Sequence, residues 1–331
     1  MTTLLIALLA GASGAGAWTA TGAVTRWLNR RAILDHPNAR SAHTRPTPRG
    51  GGIGLLVGLA IGWLGSLALL PGADPRSAGA ALTGLVLLAG VSFVDDLRGL
   101  PAALRLAVQA LAVAGALAAL PADAPVFQGL LPPLADRLVT GLAWLWFINL
   151  FNFMDGIDGL SGVEAGAVGF GLALVAWLTG SYAAVGLGAS LGAASLGFLA
   201  WNWHPARVFL GDVGSVPLGF ALGWLLIGAA RDGAWAAALI LPAYYWADAS
   251  LTLLRRLMRG APVWRAHREH FYQRALGFGF NHADVARHVL AADLVLIALA
   301  WLSVVLSPWL GLALAVLPVA RLLHRFSRAA G

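Results

Sequence analysis

Four short polar stretches interrupt an otherwise oily chain, and their residue types suggest one kind of chemistry. In "VSFVDDLRGLP" two adjacent carboxylates, Asp95 and Asp96, end an apolar run; in "NLFNFMDGIDGLSG" Asn149, Asn152, Asp155 and Asp158 recur every three residues. "NWHPARVFLGDVGS" supplies Asn202, His204, Arg207, Asp212 and Ser215, and "HREHFYQRALGFGFNH" opens with His267, Arg268, His270 and Arg274. Carboxylates are hard oxygen ligands for a divalent cation, while arginine and histidine donors hold phosphate oxygens. The combination fits a Mg²⁺-dependent reaction of a phosphate or pyrophosphate ester.

Spacing limits what each stretch can do. Neighbours on a helix point about 100° apart, so Asp95 and Asp96 serve one site only if it wraps the helix end, or if one meets a cation and the other substrate. A simpler reading pairs Asp96 with Arg98 or Arg105. Steps of three fall back about 60° each, so the four polar residues of the second stretch fan across half a helix. Gly156 and Gly159 allow the chain to break there and re-aim Asp155 and Asp158. A plain turn explains the Asp-Gly pairs but not the asparagines set in the apolar run. Around Asp212, glycines just before the next apolar run suit helix-start amides meeting an anion, or merely a cap by Asp212 or Ser215. The His-x-x-His of residues 267–270 lacks a third zinc ligand nearby, and a basic loop beside a membrane also attracts anionic lipid heads.

The elements that must position these residues are membrane helices. Of 331 residues 59% are hydrophobic and 11% charged, against roughly 25% charged in soluble domains. Runs long enough to cross a bilayer recur at 3–25, 51–70, 79–94, 102–120, 137–153, 160–179, 182–200, 214–230, 234–253, 289–306 and 308–323. The fold class is therefore all-α, a polytopic membrane helical bundle forming one domain over 1–331. It has eleven spans, or ten if Ser307-Pro308 is a kink; the gap at Gly180-Ser181 is similarly tight. Cysteine is absent, which removes disulfides and thiolate metal sites. The basic residues are scattered among short loops, which argues against nucleic acid.

Arginine sets the orientation. With the N-terminus outside, on the periplasmic face, 19 of the 22 basic residues face the cytoplasm, leaving Arg76, Arg137 and Arg231 outside. The "AGA" at 15–17 resembles a signal cleavage site, but no basic residue precedes the apolar run, so the segment reads as a retained helix. All eight histidines and the four polar stretches then lie at the cytoplasmic side. Only Glu164, Asp248 and Asp293 fall inside spans, which suits a transporter poorly. A transporter or lipid-binding scaffold with basic loops is the competing class, and a CDP-alcohol phosphotransferase would need a "DG-x2-AR" pattern that is absent.

In order, "FVDDLRGL", "NLFNFMDGIDGLSG", "NWHPARVFLGDVGS" and "HREHFYQR" resemble the cytoplasmic signatures of the polyprenyl-phosphate N-acetylhexosamine-1-phosphate transferases, and "RSAHTRPTPRGGG" resembles that family's first cytoplasmic loop. The resemblance implies a bacterial inner-membrane enzyme that moves a sugar 1-phosphate from a UDP-HexNAc to undecaprenyl phosphate and releases UMP. It implies Mg²⁺, or Mn²⁺, held by Asp212 with Asp95 or Asp96 completing the surroundings, and Asp95 as the candidate base. Asn202, Phe209 and Asp158 would contact uridine, Asn152 and Asp155 the pyrophosphate end, and His267, Arg268 and His270 the diphosphate and sugar. It also admits a homodimer among membrane lipids. The last loop lacks the consecutive histidines of the muramoyl-pentapeptide branch and the "HxHH" of the N-acetylglucosamine branch. It looks more like the branch that initiates O-antigen, within lipopolysaccharide and cell-envelope synthesis.

Overall fold

The computed structural model describes residues 1–37, 45–121, 125–262 and 267–328. Part of the first-loop signature, with Arg40 and His43, lies outside the described residues, as does Arg265. The apolar runs form helices because only a helix satisfies its backbone groups within one segment in lipid. They are α1 (Thr2–Arg30), α2 (Gly52–Leu69), α3 (Pro75–Arg98), α4 (Ala102–Ala119), α5 (Pro133–Met154), α6 (Leu160–Thr179), α7 (Tyr182–Asn202) and α8 (Asp212–Ala229). There follow α9 (Trp235–Ile240), α10 (Ala243–Met258), the short α11 (Phe271–Gly277), α12 (His282–Val305) and α13 (Pro308–Arg325). Among the described residues, nine helical segments are long and apolar enough to cross a membrane, α8 and α9 being taken together as Asp212–Ile240. The chain is a multi-pass membrane protein of the expected all-α class.

One expected span is not a continuous helix. Over 234–253 the chain turns at Gly233, whose φ is 89°, runs through α9, and breaks again before α10 at Pro242. Proline has no N–H to continue the ladder, so it starts a helix more readily than it extends one. The two tight seams are true breaks. Gly180 ends α6 at φ 83°, and Ser307 Oγ accepts the Leu310 N–H at 3.4 Å to open α13 with Pro308 in its first turn.

Helices α6, α7 and α8 form the centre, and α1, α2 and α7 pack closely through small residues, where Ser13 Oγ lies 2.8 Å from both Gly58 O and Ser190 O. Large apolar side chains such as Leu4, Leu8, Leu138, Leu142, Val316 and Leu317 point outward, as suits a molecule whose surrounding solvent is lipid. The segments linking α1 to α2, α3 to α4, α5 to α6, α7 to α8 and α10 to α12 meet at one end. There β1 (Leu34–Asp35) pairs antiparallel with β2 (Thr47–Pro48), Leu34 opposite Pro48. Phe209 N–H donates to Pro48 O at 2.8 Å, and Phe209 O accepts Gly50 N–H at 3.2 Å and Gly51 N–H at 2.8 Å. These bonds fix Arg49 beside the start of α8.

Candidate active site

The two aspartates that end α3 diverge, and the site wraps that helix end. Asp95 Oδ1 accepts Leu100 N–H at 2.6 Å, and its Oδ2 lies 2.9 Å from Arg105 Nη1, which is also 3.5 Å from Asp212 Oδ2. Asp96 turns the other way and accepts the Asp212 and Val213 N–H groups at 3.1 and 2.9 Å, so it caps α8 from another helix. Arg49 Nη2 bridges Asp96 Oδ1 at 2.9 Å and Asp212 Oδ1 at 2.7 Å. Asp96 therefore pairs with Arg49 rather than with Arg98 or Arg105, because adjacent helical positions face different neighbours. The amides at the start of α8 serve Asp96, not an external anion. Glycine is required at 211: its φ is 75°, and a Cβ there would stand 2.8 Å from Asp96 Oδ2. A Cβ on Gly52 would stand 2.3 Å from Gly214 Cα, so a glycine pair brings the start of α2 onto the start of α8.

Among the described residues, charge in this cluster is unbalanced. Asp95, Asp96 and Asp212 oppose two guanidinium groups, and Asp155 lies within electrostatic reach. Burial pushes the Asp155 carboxyl up to about 7, against the lowering effect of the Ser161 hydroxyl that donates to Oδ1 at 2.7 Å; the charges of Asp212 and Asp96 add to the rise. Surplus negative charge on hard oxygens is what a divalent cation neutralises. The Asp212 side chain is 17% exposed against 7% and 3% for Asp95 and Asp96, so Asp212 is the carboxylate best placed to reach an ion. Beside it a cavity of about 230 Å³ is walled by Leu88, Val91, Leu106, Phe153 and Val216 and ends on Asp95, Arg105, Asn152 and Asp212. Asn149 also borders it, its amide donating to Gln109 Oε1 at 2.8 Å and to Leu145 O at 2.8 Å.

Between Met154 and Leu160 the chain leaves the helix, as the glycines lead one to expect, with Gly159 at φ 80°. The turn is held from α7. Asn202 Oδ1 accepts Gly159 N–H and its amide donates to Val208 O, both at 2.9 Å. Asn202 is buried with both amide ends engaged, and Phe209 serves through its backbone. Asp158 Oδ2 accepts Ala206 N–H at 3.1 Å and His204 Nδ1–H at 2.6 Å, while His282 Nδ1 lies 3.2 Å from it. Burial alone would push this carboxyl up, but the imidazoles of His282 and His204 outweigh it and hold Asp158 below the usual carboxylate range.

The arginine-histidine loop hangs on Asp248, buried in α10. Its Oδ1 accepts Phe271 N–H at 3.0 Å and Thr252 Oγ1–H at 3.3 Å and faces His270 Nδ1 at 3.2 Å; its Oδ2 accepts Tyr244 O–H at 2.9 Å and Tyr272 N–H at 3.1 Å. His270 is buried and stacked between His267 and Tyr272, with centroids 4.9 and 5.7 Å away. It faces the protein and positions the half-buried His267. Burial, with His270 and Arg256 adding, lowers His267 to about 4, so its ring is neutral near pH 7. Arg268 is exposed. Tyr272 O–H donates to Phe153 O at 2.9 Å and ties the loop to the end of α5.

The sequence alone does not pick out Arg49, offers Arg105 only as a partner for Asp96, and does not connect His204 or His282 with Asp158. Asp248 was noted only as an acid inside a span. Its signal was present: Tyr244, Asp248 and Thr252 are four apart, one face of a helix. The other two acids within spans, Glu164 and Asp293, are buried without a hydrogen-bond partner among the described residues and interact electrostatically across α6 and α12.

Residues 78–230 match glycosyl transferase family 4. The chain is 28% identical over 262 residues to a probable undecaprenyl-phosphate N-acetylglucosaminyl 1-phosphate transferase of Bacillus subtilis, covering 75% of this chain and 71% of the relative. It is 28% identical over 329 residues to a decaprenyl-phosphate N-acetylglucosaminephosphotransferase of Mycobacterium tuberculosis, covering 86% and 77%. A protein of that same description from Mycobacterium leprae is 29% identical over 301 residues, covering 80% and 75%. The matched region begins in α3 and ends just past α8, so it contains Asp95, Asp96, Asp155, Asp158 and Asp212. The ordered motifs, the all-α membrane fold and these relatives together support the polyprenyl-phosphate N-acetylhexosamine-1-phosphate transferases of glycosyl transferase family 4 as the proteins this chain resembles.

Proposed function

We propose that the protein transfers a HexNAc 1-phosphate from a UDP-sugar to undecaprenyl phosphate at the cytoplasmic face of a bacterial inner membrane. The observation that carries this reading is the cavity whose apolar walls end on Asp95, Arg105 and Asp212. A phosphate on an isoprenoid tail needs a greasy wall for the tail and charge for the head. A water-borne nucleotide sugar would approach from the other side, over the turn that carries Asp155 and Asp158. An oxygen of the lipid phosphate would attack the β-phosphorus of the donor. That P–O bond forms as the bond from the β-phosphorus to the bridging oxygen breaks, and UMP leaves with the electron pair.

Asp212 and Asp95 fit a Mg²⁺ or Mn²⁺ ion by donor type and by the unbalanced charge around them. Such an ion would neutralise the diphosphate oxygens as charge shifts onto the leaving group. Arg105 and Arg49, bound here to the carboxylates, would turn their remaining N–H groups to phosphate oxygens. Both Asp95 oxygens are already engaged, by Leu100 N–H and by Arg105, and a lipid phosphate near neutral pH is already largely anionic, so the reaction does not need Asp95 as a base. Asn202 and His270 support the site from beneath, leaving His267 and Arg268 to reach the sugar diphosphate. The "HREHFYQR" loop favours a donor without a muramoyl peptide, in the O-antigen-initiating manner. The test is UMP release by purified protein given undecaprenyl phosphate, Mg²⁺ and a panel of UDP-HexNAc donors. Release with at least one donor is expected, and release with none would overturn the proposal.

A further inference from the structure

Asp158, His204 and His282 come from three elements: the turn before α6, the segment after α7, and the first residue of α12. One ligand atom from each lies within 4.8 Å of the others. His204 Nδ1 and His282 Nδ1 stand 2.6 and 3.2 Å from Asp158 Oδ2, and the two imidazole centroids are 4.9 Å apart. We propose that these three side chains form a binding site for a zinc-class transition-metal ion, separate from the Asp95, Asp96 and Asp212 cluster.

The donor set suits such an ion: two imidazoles and one carboxylate are borderline ligands that favour Zn²⁺ over Mg²⁺. Geometry suits it as well. Zinc bonds of about 2.0–2.2 Å in a tetrahedron put neighbouring ligand atoms about 3.3 Å apart. His282 already meets that spacing, and His204 need only draw back by a fraction of an ångström. Metal entry would require the single ring proton of His204 to sit on Nε2 instead of Nδ1, and the metal would replace the 3.3 Å bond that His282 Nδ1 accepts from Asp158 N–H. The site is closed on two sides, since the Asp158 and His282 side chains are 7% and 9% exposed, and open at His204, which is 36% exposed. Three protein ligands and one accessible position are thus available. If Asp158 contacts uridine, as the proposed function has it, a metal there would compete with the nucleotide donor; the binding itself does not depend on that reading.

The experiment uses full-length purified protein, stripped with a chelator, then given Zn²⁺ in excess Mg²⁺. Bound zinc is measured by elemental analysis and its affinity by competition with a chromogenic chelator. One tightly bound zinc per chain is expected, with X-ray absorption showing two imidazole ligands. His204→Gln and His282→Gln should each weaken binding by about tenfold or more, whereas His267→Gln should leave it unchanged. Zinc inhibition of UMP release should fall as the UDP-sugar concentration rises. Absence of retained zinc in the wild type, or affinity unchanged in both His204→Gln and His282→Gln, would overturn the proposal. So would loss of the zinc on His267→Gln. The wild-type absorption spectrum decides independently of how the variants fold, and insensitivity of the inhibition to donor would remove only the uridine contact.

Discussion

At the scale of single residues the carboxylates have separable duties. Asp212 is the most exposed of the three clustered acids and lies between two arginines, so Asp212→Asn should lower transfer by two orders of magnitude or more while the thermal unfolding midpoint hardly changes. Near-normal turnover would remove it from the chemistry. Asp155 gives a different readout. Its carboxyl is raised to about 7 in the folded chain and titrates near 4 when unfolded. The unfolded chain therefore ionises this group more easily, and wild-type stability should fall between about pH 4 and pH 7 before levelling off. Asp155→Asn removes that fall, so in metal-free detergent its unfolding midpoint should gain on the wild type from pH 4.5 to 7.5; parallel profiles would contradict the assignment. The acids and their clustering on one side were legible in the sequence. Their partners were not, because Arg49 meets Asp212 across 163 positions and no local spacing encodes which loops come together.

At the scale of elements, one buried acid holds an entire loop. Removing the Asp248 carboxylate strands two amides, a tyrosine hydroxyl, a threonine hydroxyl and His270, and losing one side of such a buried charged network costs about 3–5 kcal/mol. Asp248→Ala should lower the unfolding midpoint and open the 267–277 segment to protease, whereas Asp248→Asn, retaining one acceptor, should suffer less. Equal protease resistance in all three proteins would show that the loop is held otherwise. The helix break at Gly156 and Gly159 was readable from the glycines, whereas the seams at Gly180 and Pro308 could be read as a break or a kink until the structure showed both as breaks. The stretch 234–253 misled because its average hydropathy matches a span, and hydropathy does not register that Gly233 and Pro242 break the backbone.

At the scale of the whole molecule, the arginine bias and the helix ends agree that the motifs share one end of the bundle. Since the chain has no cysteine, single introduced thiols report sidedness without background. A membrane-impermeant maleimide should label Leu130→Cys in intact cells and Arg207→Cys only after permeabilisation; the reverse pattern would invert the orientation. The central claim is that the bond broken lies between the two phosphorus atoms of the donor. A UDP-HexNAc labelled with ³²P at the β position, incubated with purified protein, undecaprenyl phosphate and Mg²⁺, tests it in one extraction. The label should pass into the organic phase with the lipid while unlabelled UMP remains in water. Label left in the aqueous phase as UDP, with sugar alone on the lipid, would contradict it.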